Sequence, residues 1–157
     1  MDSFEIRINL NDENELYNSF DPGRKTLNDD LLSYLTDRYG EKELGKKAVL
    51  IFSGARIDDS HLKSALRRHI EIELEKNTKQ KKYNFLKQLW LIIIGIVFVA
   101  AGMVLGRYFE SVPVEILSII GSFAVWEAAN IWIVENPGLR LRKKLLTRLR
   151  DAEIIFE

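Results

Sequence analysis

LWLIIIGIVFVAAGMVLG (residues 89–106) and PVEILSIIGSFAVWEAANIWIV (residues 113–134) decide how the rest of this chain is read. The first is an uncharged apolar run of eighteen residues, and the second follows after a short connection. As α-helices they reach about 27 and 33 Å, against a bilayer hydrocarbon core roughly 30 Å thick. Each has apolar residues on every side, so a soluble fold of this size has no means of burying both. The expected fold class is a membrane protein: a two-span transmembrane α-helical hairpin (89–109 and 113–134) with a small N-terminal cytoplasmic α/β domain of βαβα order (1–75). A basic juxtamembrane segment (76–88) joins the two, and a basic amphipathic helix with a short tail (138–157) closes the chain.

Charge is segregated along the sequence. Residues 1–60 carry thirteen acids and eight bases, whereas residues 61–157 carry ten acids and fifteen bases. Lys76, Lys79, Lys81, Lys82 and Lys87 precede the first apolar run, and Arg140, Arg142, Lys143, Lys144, Arg148 and Arg150 follow the second. Only Arg107 lies between the two runs. Under the positive-inside rule this bias predicts that both termini are cytoplasmic. Tyr83, Trp90 and Trp132 fall where inner headgroups are expected, and Tyr108 at the outer edge. Met1–Leu16 is polar and has no signal-peptide pattern, so the first span is expected to act as the insertion signal. With no cysteine, disulfides, thiolate metal sites and cysteine nucleophiles are excluded.

Ahead of the hairpin the pattern is that of a compact domain. Phe4, Ile6, Ile8 and Leu10 alternate with Glu5, Arg7 and Asn9, which predicts a half-buried strand. Asp21-Pro22-Gly23 signals a turn, and Thr26 with Asp29 three residues on suggests a capping box. Leu27, Leu31, Leu35 and Tyr39 then line one face of a helix that Gly40 ends. Ala48–Phe52 is continuously apolar and reads as a central strand covered on both faces. Strand, helix, strand in this order predicts a parallel pair. A second helix is expected from Asp58, with Ile57 and Leu62 as a hydrophobic staple and Leu62, Leu66, Ile70 and Leu74 as its apolar face. Asn136-Pro137-Gly138 is expected to turn the chain. Beyond it, Leu141, Leu145, Leu146 and Leu149 oppose Arg140, Lys143, Lys144 and Arg148, and the β-prone tail Glu153–Phe156 is a candidate extra strand.

Three groups of residues are candidates for function. Gly95, Gly102 and Gly106 share one face of the first span, and Gly121, Ala124 and Ala128 form a small face on the second; such faces pack helix against helix, within the hairpin or between copies. Glu127 lies about 12 Å along the axis from the inner end of the second span. A carboxylate there costs roughly 2.5–3.5 kcal/mol on insertion scales, so a partner is expected. Asn130 shares its face and Trp126 adjoins it. Finally, Lys79, Lys81, Lys82, Arg140, Arg142, Lys143 and Lys144 are placed to meet anionic lipid headgroups.

Other motifs point to no chemistry. His61 and His69 are too far apart for a two-histidine metal clamp and read as surface residues. Asp58-Asp59-Ser60-His61 is explained as a helix start, and Asn11–Glu15 with Asp21 lacks the glycine of a calcium loop. No phosphate-binding or dinucleotide glycine motif and no nucleophile elbow occurs. No cofactor, metal or nucleic-acid partner is expected, nor catalysis. The expectation is a non-enzymatic, self-associating membrane protein. Its partners are membrane lipids, a second copy, and a protein or small ligand bound by the cytoplasmic domain and coupled to the hairpin. The alternative is an oligomeric ion channel or membrane-permeabilising effector with Glu127 and Asn130 at the pore or gate.

Overall fold

A computed structural model of the chain describes residues 3–21, 23, 26–40, 45–54, 59–108 and 112–157. The described chain is mostly helical with three strands, and two of its helices are long and apolar enough to cross a membrane. It divides into two compact units, Met1–Asn77 with Leu141–Glu157, and Thr78–Arg140.

In the first unit β1 (Ser3–Asn9) alternates as its sequence dictates, with Ile6 and Ile8 buried and Glu5 and Arg7 exposed. β2 (Lys47–Ser53) has every residue from Ala48 to Phe52 buried and occupies the centre of the sheet. β3 (Glu153–Phe156) is the tail of the chain, and it completes the order β1-β2-β3. Both pairings are parallel: Ser3 to Asn9 match Lys47 to Ser53, and Val49 to Phe52 match Glu153 to Phe156. A 2.9 Å ion pair from Lys47 Nζ to Glu153 Oε2 marks the start of the second ladder. After β2 the backbone turns at Gly54, where φ is +107° and a Cβ would collide with the Leu10 carbonyl oxygen. Only glycine fits there.

α1 (Asp29–Tyr39) starts later than the capping-box reading implies. Asn28 is the N-cap, its Oδ1 accepting the Asp30 N–H at 3.0 Å. Thr26 instead donates its N–H and its hydroxyl to Asp21 Oδ2, each at 2.9 Å. Both residue types accept at a cap, and the competing Asp21 turn decides which one serves. Gly40, with φ +53°, closes the helix by donating to the Thr36 carbonyl.

α2 (Asp59–Leu105) is a single assigned helix of 47 residues. The expected cap at Asp58 and the staple from Ile57 lie outside the described residues. α3 (Val112–Asn130) continues through a π-helical turn, Ile131–Glu135, into α4 (Asn136–Arg150). The turn expected at Asn136-Pro137-Gly138 is therefore absent. Pro137 has no N–H to give and its ring crowds the carbonyl four residues back. The chain accommodates it by widening the preceding turn, and the Asn136 N–H reaches back five residues to the Ile131 carbonyl.

One apolar core holds the first unit together. Ile6, Ile8, Leu50 and Phe52 from the sheet meet Leu35 and Tyr39 of α1, Leu62, Leu66 and Ile70 of α2, and Leu146 and Leu149 of α4. Each such side chain contributes about 1.5–3 kcal/mol when fully buried. The apolar residues of the second unit are different. Ile96, Met103 and Phe123 are 60%, 69% and 68% exposed. Helices that formed the core of a soluble fold would hide these side chains.

Leu146→Ala tests whether α4 belongs to the N-terminal core. Leu146 is fully buried, so thermal unfolding of the full chain in detergent should show a loss of about 2–5 kcal/mol. A change within about 0.5 kcal/mol, the range of a surface substitution, would detach α4 from that core.

Candidate functional site

All four buried polar side chains among the described residues lie on α2: His69, Glu73, Asn77 and Asn84. Their spacing of four, four and seven places them along one stripe of the helix. In the first unit this stripe lines a cleft of about 260 Å³, walled by Asp29, Leu32, Ser33 and Thr36 of α1 and by Arg142 and Leu146 of α4. His69, Glu73 and Lys76 form its α2 side.

Glu73 is the electrostatic centre of the cleft. Its Oε1 accepts from Lys76 Nζ at 2.6 Å and its Oε2 from Arg142 Nη2 at 2.8 Å. The carboxylate side chain is 10% exposed, whereas those of Lys76 and Arg142 are 66% and 58% exposed. Burial is the largest single influence on Glu73 and pushes its carboxyl up. The Lys76 hydrogen bond and the positive fields of Lys76 and Arg142 lead the influences that outweigh it, and the group is held below its ordinary value of 4.5. Each cation keeps donors that the Glu73 bonds do not use, since an ammonium has three and a guanidinium five.

His69, read from sequence as a surface residue, is buried. It sits one turn from Ala65 and Glu73, in a row beside the Leu62, Leu66 and Ile70 stripe, so it shares the inward face. Its Nε2 lies 3.3 Å from Asp29 Oδ1. The contact is not aligned as a hydrogen bond, and neither ring nitrogen has a hydrogen-bond partner among the described residues. An imidazole without partners is costly to bury, by roughly 1–3 kcal/mol, and at the wall of a cleft it is a ready hydrogen-bonding group for a ligand. His61 behaves otherwise: its Nδ1 is 3.1 Å from the Tyr17 hydroxyl, with the rings edge to face. Among the described residues no cluster of three or more His, Cys, Asp or Glu is placed to hold a metal ion.

In the second unit Glu127 is paired with Lys87. Lys87 Nζ donates to Glu127 Oε1 at 3.0 Å, with both side chains a little over one third exposed. Beside this pair, Gln80 donates to Asn84 at 2.9 Å and Asn84 to Glu135 at 2.8 Å. Asn130 is partly buried and Trp126 is exposed. The glycine faces meet one another inside the hairpin. A Cβ on Gly95 would lie 2.7 Å from Val125 Cγ2 and 3.0 Å from the Gly121 carbonyl oxygen, and one on Gly121 would lie 2.8 Å from Val99 Cγ2. Gly102 faces Ser118, while the nearest neighbours of Gly106 are Val114 and its own helix. Ala128 is buried and Ala124 partly so. Of the cations expected at headgroups, Lys79, Lys81, Lys82, Arg140, Lys143 and Lys144 are exposed, and Arg142 is engaged by Glu73.

The cleft has no single sequence motif. Its signal was present only as polar residues at four-residue spacing within an apolar stripe, and its walls come from segments over a hundred positions apart. No protein family, curated protein or solved structure matches this chain.

The Glu73 arrangement fixes a pH dependence. Ionised Glu73 contributes stability above about pH 4.5, its ordinary value, and this is lost as pH falls through the lower value it has in the folded chain. Melting temperature should decline below that point, and Glu73→Gln should flatten the decline. The same variant should lower stability at neutral pH by about 1–3 kcal/mol, as expected for charge-assisted bonds. Identical pH profiles for the two proteins would remove Glu73 as the organising charge.

Proposed function

We propose that this chain is a non-enzymatic, self-associating integral membrane protein. Its soluble unit binds a small polar ligand in the α1–α2–α4 cleft and passes the bound state to the hairpin. One observation carries the reading: the cleft is built on the two helices that connect the units. Lys76 lies one residue before the first unit ends at Asn77, and Arg142 one residue after it resumes at Leu141. A ligand that draws on these two cations acts on the outgoing and the returning helix together.

A cytoplasmic location for both termini is supported by the basic residues that flank the two apolar runs. It is supported again by β3, which shares a sheet with β1 and β2 and so calls for an even number of membrane crossings. The anionic surface of the inner leaflet suits the exposed lysines and arginines next to the spans. The channel alternative draws on Glu127 and Asn130, yet the Lys87 bond neutralises the carboxylate within the hairpin. That pairing favours a register-fixing role for Glu127 over an ion-facing one.

Two measurements test the reading. A panel of phosphorylated and carboxylated small molecules should include one that raises the melting temperature of the full chain in detergent, by about 2.7 kcal/mol of stabilisation at a hundredfold excess over Kd. Arg142→Ala should abolish that shift. A panel without effect, or a shift that Arg142→Ala leaves intact, contradicts the cleft as the binding site. In planar bilayers the purified protein should pass no current, and a current altered by Glu127→Gln would establish the channel reading instead.

A further inference from the structure

The first unit leaves one long sheet edge open. β1 pairs with β2 on one side, and among the described residues nothing pairs with its other side. Natural proteins protect such edges with proline, charged side chains (lysine above all), a bulge or short length. β3, at the opposite edge, is four residues long. β1 runs for seven, Ser3-Phe4-Glu5-Ile6-Arg7-Ile8-Asn9, with no proline, lysine or bulge. Its two charges, Glu5 and Arg7, are of opposite sign and so deter a partner of like charge but not a self-complementary one. Beside it lies a groove of about 300 Å³ lined by Phe4, Glu5, Ile6, Arg7, Tyr34 and Arg38.

We infer that this edge pairs with β1 of a second copy of the chain, antiparallel and about a twofold axis at Ile6. The inference rests on the self-association in the proposed function and names its surface. The parity of the backbone allows it. Leu10 donates its N–H to Ser53 at the end of β2, so the even-numbered residues direct their backbone groups to β2. Ser3, Glu5, Arg7 and Asn9 direct theirs to the free edge. About an axis at Ile6, Glu5 stands opposite Arg7 of the second copy, Arg7 opposite Glu5, and Ser3 opposite Asn9, each an outward-directed residue matched with another.

Side chains then select the register. Glu5 and Arg7 are exposed on one face and already attract each other within the strand at 3.6 Å. Across the axis they form two further opposite-charge pairs. On the other face Phe4 meets Ile8 of the second copy and Ile6 meets Ile6, continuing the buried side of the sheet from one copy to the next. A slip of two residues in either direction sets Glu5 against Glu5 or Arg7 against Arg7. The strand is thus self-complementary in one register, as a closed twofold interface requires.

Charge reversal tests this directly, on exposed side chains whose replacement leaves the core intact. Sedimentation equilibrium of the full chain in detergent should show a dimer. Glu5→Arg alone and Arg7→Glu alone should each weaken it about tenfold or more, because each puts two like-charge pairs across the axis. An equimolar mixture of the two variants should recover assembly, since one chain then presents arginine at both positions and the other glutamate at both. Single variants that assemble as tightly as the parent would overturn this interface and leave self-association to the hairpin glycines. A parent chain that stays monomeric at high micromolar concentration would overturn both.

Discussion

The structure depends on the chain returning to its own sheet. β3 ladders onto β2 only after the whole Thr78–Arg140 unit has been traversed, and α4 adds Leu145, Leu146 and Leu149 to a core begun by residues 6–70. The hairpin is therefore an insertion in a small α/β domain rather than an appendage at its end. That arrangement ties both ends of the insertion to one folded body.

α2 carries most of the tension between apolar packing and polar chemistry. Its buried residues are Leu62, Ala65, Leu66 and Ile70, interleaved with or followed by His69, Glu73, Asn77 and Asn84, and the ring nitrogens of His69 and the Asn77 amide nitrogen are without described partners. A buried polar group left unsatisfied is a standing cost that a purely structural helix would avoid. Glu73 offsets part of that cost by collecting two cations, one from its own helix and one from α4. The His69 ring nitrogens, at the wall of the cleft, are what a bound ligand is proposed to satisfy.

Much of this was written in the order of residues. Alternation in Phe4–Leu10, the continuous run Ala48–Phe52 and the β-prone tail marked the three strands, because strand faces follow a period of two whatever the tertiary context. The two apolar runs stood out by length alone. What escaped was set by competition or by distance. Thr26 lost the cap to Asn28 because Asp21 bonded it first. Pro137 signals a break, yet a π turn absorbed it. His69 reads as polar and exposed until α1 and α4 close over it. The Lys87 partner of Glu127 lies forty positions away, and no local pattern announces it. The glycines were legible as packing surfaces, while which helix each would meet was not.

Lipid is the proposed solvent for the side chains that the fold leaves bare. Ile96, Met103 and Phe123 are left exposed by the packing at Gly95 and Gly121, and hydrocarbon would cover them without the free-energy cost of exposure to water. The absence of native cysteine makes one measurement especially direct. Single cysteines at Ser3, Tyr108 and Glu157 can be probed with a membrane-impermeant maleimide in intact cells and in inverted vesicles. A two-span hairpin predicts that Ser3→Cys and Glu157→Cys react only in the vesicles and Tyr108→Cys only in the cells. Labelling of the two ends from opposite faces, or of all three from one face, would contradict it.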